Sequence, residues 1–148
     1  MNIHFIAIGG SIMHSLAIEL KKNGHIITGS DDIIYNPAKS NLINHNLIPT
    51  KYGWDIKKIH HDLDMVLLGM HAKKNNPELL EAKKQNILIV SFPEFIFNYS
   101  KNKMRVVIAG SHGKTTITAM IIHVLNDNKI KSDYLVGAKI NELDNQVK

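Results

Sequence analysis

Short apolar runs alternate with stretches whose apolar residues recur every three or four positions, a rhythm that predicts strands alternating with helices. Ile3 to Ile8 reads as a buried strand, and Met13, Leu16, Ala17 and Leu20 then share one helical face that stops at Asn23-Gly24. His25 to Thr28 is the next strand; Asn36-Pro37 opens a helix carrying Leu42 and Ile43; Asp64 to Gly69 is a third strand. Asn76-Pro77 starts a helix with Leu79, Leu80 and Ala82 inward, Ile87 to Val90 is strand-like, and Pro93 to Tyr99 is a short helix or turn. The pattern turns polar at Ser100-Lys101-Asn102-Lys103, where a domain boundary is expected. Met104 to Ala109 reads as a new buried strand, Ile117, Met120, Ile121, Val124 and Leu125 as one helical face, and Tyr134 to Ala138 as a further strand. The class is α/β, a mostly parallel sheet with helices on both faces.

Composition narrows this picture without changing it. With 148 residues, 44% of them hydrophobic and 21% charged, a packed core is expected. Cysteine is absent, which excludes disulfides, thiolate metal sites and a cysteine nucleophile and suits a reducing compartment, so the expected location is cytoplasmic. The first residues hold no basic stretch and too short an apolar run for a signal peptide or membrane span. A net charge of +5 invites a nucleic-acid reading, but Arg105 is the only arginine and the lysines are scattered, so no nucleic-acid partner is expected.

The sharpest chemical signal is Gly110-Ser111-His112-Gly113-Lys114-Thr115-Thr116. A strand, a glycine turn and a helix in that order aim backbone N–H groups and a helix N-terminus at one point, where phosphate oxygens are stabilised. Lys114 is placed to meet the β- and γ-phosphates as the catalytic cation, and the Thr115 hydroxyl to join the shell of a Mg²⁺ ion. The longer phosphate-loop pattern needs glycine at position 108, where this chain has Ile, so the loop is the short Gly-x-x-Gly-Lys-Thr variant.

A second turn, Gly9-Gly10-Ser11, also follows a strand and precedes a helix. A dinucleotide fingerprint aligned on Gly9 would need glycine at 7 and 12, where Ala7 and Ile12 stand, so dinucleotide binding is not expected. About twenty residues on, at the end of the second strand, Thr28-Gly29-Ser30-Asp31-Asp32 offers Asp31 as the acidic residue that could meet a ribose or base edge; a capping role in a loop is the competing reading. His71 ends a strand where ligands gather in open α/β sheets, whereas His60-His61 and the other histidines lack metal-ligand spacing. No Gly-x-Ser-x-Gly elbow surrounds Ser11, Ser91 or Ser111.

Taken together, Ile8-Gly9-Gly10-Ser11-Ile12-Met13-His14, Thr28-Gly29-Ser30-Asp31, Asn76-Pro77-Glu78 and the loop with His112 inside it resemble the Mur ligases of peptidoglycan metabolism. Met65-Val66-Leu67-Leu68-Gly69-Met70-His71-Ala72 and Ser91-Phe92-Pro93-Glu94-Phe95 look most like that family's murein peptide ligase branch, with the alanine ligase branch as the alternative. The resemblance implies a Rossmann-like UDP-sugar-binding domain over residues 1–102 and the amino-terminal part of a phosphate-loop ATP-binding domain over 103–148. It implies ATP and Mg²⁺ as cofactors, with UDP-N-acetylmuramate and a murein tripeptide as substrates joined through an acyl phosphate. Gly110, Ser111, His112, Gly113, Lys114, Thr115 and Thr116 would bind ATP, and Gly9, Gly10, Ser11, Ser30, Asp31 and His71 would bind the UDP-sugar.

The family's further central-domain residues and its carboxyl-terminal domain have no counterpart in these 148 residues. The expectation is therefore that this chain alone does not ligate and that residues from about 104 onward lean on the first domain. A nucleotide-binding module without catalysis and an unrelated small phosphate-loop NTPase are the competing readings, and only the second leaves the amino-terminal turns without a role. Nothing in the sequence sets the oligomeric state.

Overall fold

The computed structural model describes all residues except His71, Asn141, Glu142 and Asp144. Four parallel strands, β1 (Asn2–Ile6), β2 (Ile26–Ser30), β3 (Met65–Leu68) and β4 (Ile89–Ser91), form one sheet in the order β2-β1-β3-β4. The chain begins in the middle of the sheet, steps to one side and then crosses to the other. Such a reversal opens a crevice beyond the carboxyl ends of the two central strands, the place where open α/β sheets hold ligands.

Alternation along the strands divides the core into two. Ile3 and Phe5 of β1 and Met65 and Leu67 of β3 face one side, where they meet Leu16, Ala17 and Leu20 of α1 (Met13–Lys22) and Leu42 of α2 (Ala38–Asn44). Ile6 and Val66 face the other, against Leu79 and Ala82 of α3 (Pro77–Lys84) and Ile59. Central parallel strands buried on both faces read as near-continuous apolar runs, which is why they were legible. The α3 face expected from sequence is corrected at Leu80, which is 50% exposed: on an eight-residue helix only one side reaches the sheet. Asn76 caps α3, accepting from Glu78 and Leu79 N–H at 2.9 and 3.1 Å, and Ser91 with Glu94 forms a capping box on α4 (Phe92–Tyr99).

One polar residue interrupts the apolar filling. His4, fully buried, points to the α3 side, its Nδ1 2.8 Å from Thr28 Oγ1 and its Nε2 3.3 Å from Glu78 Oε2. The other Glu78 oxygen accepts the Asp55 N–H at 2.8 Å. His4 and Glu78 therefore satisfy each other's polar atoms with Thr28 and the Asp55 N–H, as buried polar groups require.

Beyond residue 100 the structure departs from the expected pattern. Met104 to Ala109 is not a strand: among the described residues none pairs with it, and Met104 and Val107 are 94% and 82% exposed. An apolar run becomes a strand only where a neighbour supplies the ladder hydrogen bonds. The next segment does form its helix, α5 (Lys114–Asp127), yet Ile122 is its one buried residue and the expected apolar face of Ile117, Met120 and Val124 lies exposed. Tyr134 to Ala138 is likewise not a full strand. It makes a short antiparallel bridge, Leu135 opposite Val147, with Tyr134 and Lys148 exchanging both backbone hydrogen bonds. This hairpin docks on α1: Val147 enters the first core cluster, Asn145 Nδ2 donates to Ser15 O at 3.0 Å and Ser15 Oγ to Gln146 Oε1 at 3.3 Å. No described helix is long and apolar enough to cross a membrane.

Candidate functional site

Where β1 ends, the chain turns sharply at Ala7, whose φ of +66° is a conformation that costs an L-residue roughly 1–2 kcal/mol. Two hydrogen bonds hold it there, since the N–H groups of Ala7 and Ile8 both donate to Ser30 O, at 2.9 and 3.2 Å. The left-handed residue at position 7 thus exists without the glycine that a dinucleotide fingerprint would place there. The Gly9 N–H donates to Asp31 Oδ2 at 2.7 Å. A Cβ on Gly9 would come within 2.9 Å of that oxygen and of Ile34 Cγ1, so only glycine lets turn and carboxylate approach this closely.

Asp31 is 7% exposed. Burial pushes its carboxyl up to about 6, opposed by the Gly9 N–H and helped by neighbouring Asp32. Ser30 is fully buried, and its hydroxyl accepts the Lys58 ammonium at 2.9 Å while the same ammonium reaches Gly29 O at 3.1 Å. These two residues therefore stand beneath the turn and fix its shape. Gly9 and Ser11 instead line an adjoining cleft of about 310 Å³, and Gly10 closes the turn by donating to Ala7 O at 3.3 Å. His71 lies outside the described residues.

The cleft floor holds a residue that sequence reasoning did not single out. His14 is 2% exposed; its Nδ1 sits 2.9 Å from Gly10 O and its Nε2 3.3 Å from Asn41 Nδ2. Burial lowers its pKa, partly offset by the bond to Gly10. A carbonyl can only accept, so Nδ1 carries the proton and Nε2 accepts from Asn41, a neutral imidazole locking the turn. Its position four residues after Gly10, on the first turn of a helix, was the available signal. Lys58 had none, because it arrives from a single 3-10 turn, Ile56–Lys58, far along the chain.

The second glycine turn is open to solvent. Gly110 and Gly113 take φ of +149° and +76°, and Gly113 caps α5 in the left-handed conformation. Lys114 Nζ folds over the loop, donating to Gly110 O at 2.6 Å and Ser111 O at 3.1 Å, and His112 Nδ1 lies 3.2 Å from Ser111 Oγ. Thr115 and Thr116, in the first turn of α5, are exposed. No group of three or more His, Cys, Asp or Glu gathers among the described residues to hold a metal. Any Mg²⁺ here would draw one oxygen from Thr115 and the remainder from phosphates and water, which suits that ion's habits. None of residues 110–116 lines the cleft beside Gly9, so the structure forms two turns and does not merge them.

A family model described as Mur ligase family, catalytic domain, matches residues 2–103. The UDP-N-acetylmuramate–L-alanine ligase of Buchnera aphidicola subsp. Baizongia pistaciae is 34% identical over 153 aligned positions, covering 99% of this chain and 30% of that protein. The UDP-N-acetylmuramate–L-alanyl-γ-D-glutamyl-meso-2,6-diaminoheptandioate ligase of Haemophilus influenzae is 31% identical, covering 92% of this chain and 30% of that protein. Among solved structures, a murein peptide ligase from Psychrobacter arcticus superposes with a TM-score of 0.85 at 28% identity, over all of this chain and 33% of its own length. The chain thus spans about a third of the length of the relatives it matches.

Proposed function

Since the chain belongs to the Mur ligase family, we propose that it is the nucleotide-binding part of an ATP-dependent ligase that joins a murein tripeptide to UDP-N-acetylmuramate. Two glycine turns in one chain, each opening a helix, carry this reading: one is clamped by Asp31 and borders a cleft, the other is covered by Lys114. The amino-terminal turn and cleft would hold the UDP-sugar, and the turn at Gly110–Gly113 the triphosphate of ATP. Bound Mg²⁺ supplies neutralisation of phosphoryl charge. Lys114, leaving its carbonyls for the β- and γ-phosphates, supplies the chain's own cation. In the whole ligase, transfer of the γ-phosphoryl group from ATP to the muramyl carboxylate would give an acyl phosphate and ADP, and attack by the tripeptide amine would form the amide bond as phosphate leaves and the amine gives up a proton to solvent. The murein peptide branch is preferred on the stretches 65–72 and 91–95; alanine as the amine is the second reading, favoured by the Buchnera relative.

Calorimetric titration tests the reading. The chain should bind UDP-N-acetylmuramate and Mg-ATP independently, Lys114→Ala should weaken only ATP, and Gly9→Ala only the UDP-sugar, with circular dichroism checking the fold. Binding of ATP without the UDP-sugar would point to a generic NTPase, and binding of neither would remove the proposal. Incubation with both nucleotides and tripeptide should give no ligated product; its appearance would show that this chain suffices for catalysis.

A further inference from the structure

We propose that Lys58 is a positioning residue for the amino-terminal glycine turn, held out by helix α3 so that its ammonium fixes the end of β2 from which the turn hangs. Its bearing on ligand binding rests on the reading above, in which that turn holds the UDP-sugar.

The turn depends on one peptide. Ala7 keeps its left-handed backbone because the Ala7 and Ile8 N–H groups both donate to Ser30 O, and such a conformation persists only where its surroundings over-determine it. Ser30 O can hold Ala7 only as firmly as the end of β2 is itself held. There, Gly29 O and Ser30 Oγ accept from a single donor, the Lys58 ammonium, at 3.1 and 2.9 Å. Ser30 is fully buried, so these charge-assisted bonds are stronger than they would be in water.

A lysine is a point charge on a flexible stem and positions nothing unless its own backbone is fixed. The 3-10 turn Ile56–Lys58 is fixed at both ends by one helix. Before it, Glu78 of α3 accepts the Asp55 N–H at 2.8 Å; after it, Gln85 Nε2, just past the end of α3, donates to Ile59 O at 3.0 Å. Ile59 is buried in the cluster that holds Leu79 and Ala82, and Asp55 Oδ1 caps the turn by accepting the Lys57 N–H at 3.0 Å. Thr28 and Ser30 alternate onto the same face of β2, the face on which Thr28 meets His4. Lys58 therefore grips β2 from the α3 side while His14 holds Gly10 O from the α1 side. Through this one cation α3, across the sheet from α1, sets the shape of the turn.

Proton–nitrogen correlation spectra of the full chain and titration with UDP-N-acetylmuramate test this. Lys58→Met should move the amide resonances of Ala7, Ile8 and Gly9 and weaken the UDP-sugar by about tenfold, and Lys58→Arg, which keeps the charge and its donors, should recover most of both. Lys21→Met is the matched control: its ammonium also braces two oxygens, His45 O and Asn46 O, but away from the turn, and it should leave those amides and the affinity unchanged. Gln85→Ala, which frees one end of the 3-10 turn and spares the ammonium, should move the same amides by less, and it carries the test if Lys58→Met does not fold. Unmoved Ala7, Ile8 and Gly9 amides in Lys58→Met, or equal movement in Lys21→Met, overturn the proposal. A wild-type chain that does not bind the UDP-sugar overturns the reading of the ligand instead, and the amide shifts still decide whether Lys58 sets the turn.

Discussion

The chain writes the same sentence twice, an apolar run, a glycine turn and an amphipathic helix, and folds it in two ways. The first copy, Ile3 to Leu20, has strands on both sides and buries Phe5, Ile6 and Leu20 almost completely. The second, Met104 to Leu125, has no strand beside its apolar run among the described residues, and of its helix only Ile122 is buried. The helix forms in both because its hydrogen bonds are local; the strand forms only where a neighbour completes it. The turns differ accordingly. The first is clamped by Asp31, Ser30 and His14, whereas the second is held by its own Lys114.

The contrast can be broken from the buried side first. Phe5→Ala should cost about 3–5 kcal/mol in urea unfolding, since it opens a cavity between strands that cannot collapse. Glu78→Ala should cost about 3 kcal/mol, because it leaves His4 Nε2 and the Asp55 N–H without their acceptor in the core. A loss below 1 kcal/mol in either would show that the amino-terminal half is as loosely held as the rest.

Asp31→Asn gives a smaller effect whose sign depends on pH. The carboxyl's ordinary value of 3.8 rises to about 6 on folding, so the folded state holds this proton more tightly than the unfolded chain. The stabilising contribution is whole below pH 3.8 and is lost as pH rises through about 6. An amide keeps an oxygen for the Gly9 N–H without a buried charge. The variant should therefore gain about 1 kcal/mol over wild type at pH 7 and lose that advantage at pH 4, read from paired urea melts. An advantage independent of pH would refute the assignment. Smallest of all, Val107→Ser in the unpaired run should stay within about 0.5 kcal/mol of wild type. A loss of 2 kcal/mol would reveal packing around that segment.

How much was legible follows from the same physics. The parallel sheet with helices on both faces, the end of α1 and the starts of α2 and α3 were readable because apolar spacing, Asn23-Gly24, Asn36-Pro37 and Asn76-Pro77 are local signals. The run at 104–109 carried the same signal and misled, since pairing is not written in the run itself. At the site, both glycine turns were visible in sequence, yet the division of labour within them was not. Ser30 and Asp31 are spent on holding the turn, and the residues that engage them, Lys58 and Gly9, come from separate segments.

His4 carries a last consequence, for how the sheet finds its own alignment. On a face otherwise filled by Ile6 and Val66, its imidazole is satisfied only when β1 lies opposite Thr28 on one side and faces Glu78 of the crossover helix on the other. Sliding β1 by a single residue would turn His4 into the α1 side and carry Phe5 onto Glu78. Apolar contacts alone tolerate such slips, because one aliphatic side chain fills another's place at modest cost. A buried imidazole and carboxylate do not, so this pair acts as the key that admits one pairing of the central strands and rejects its neighbours.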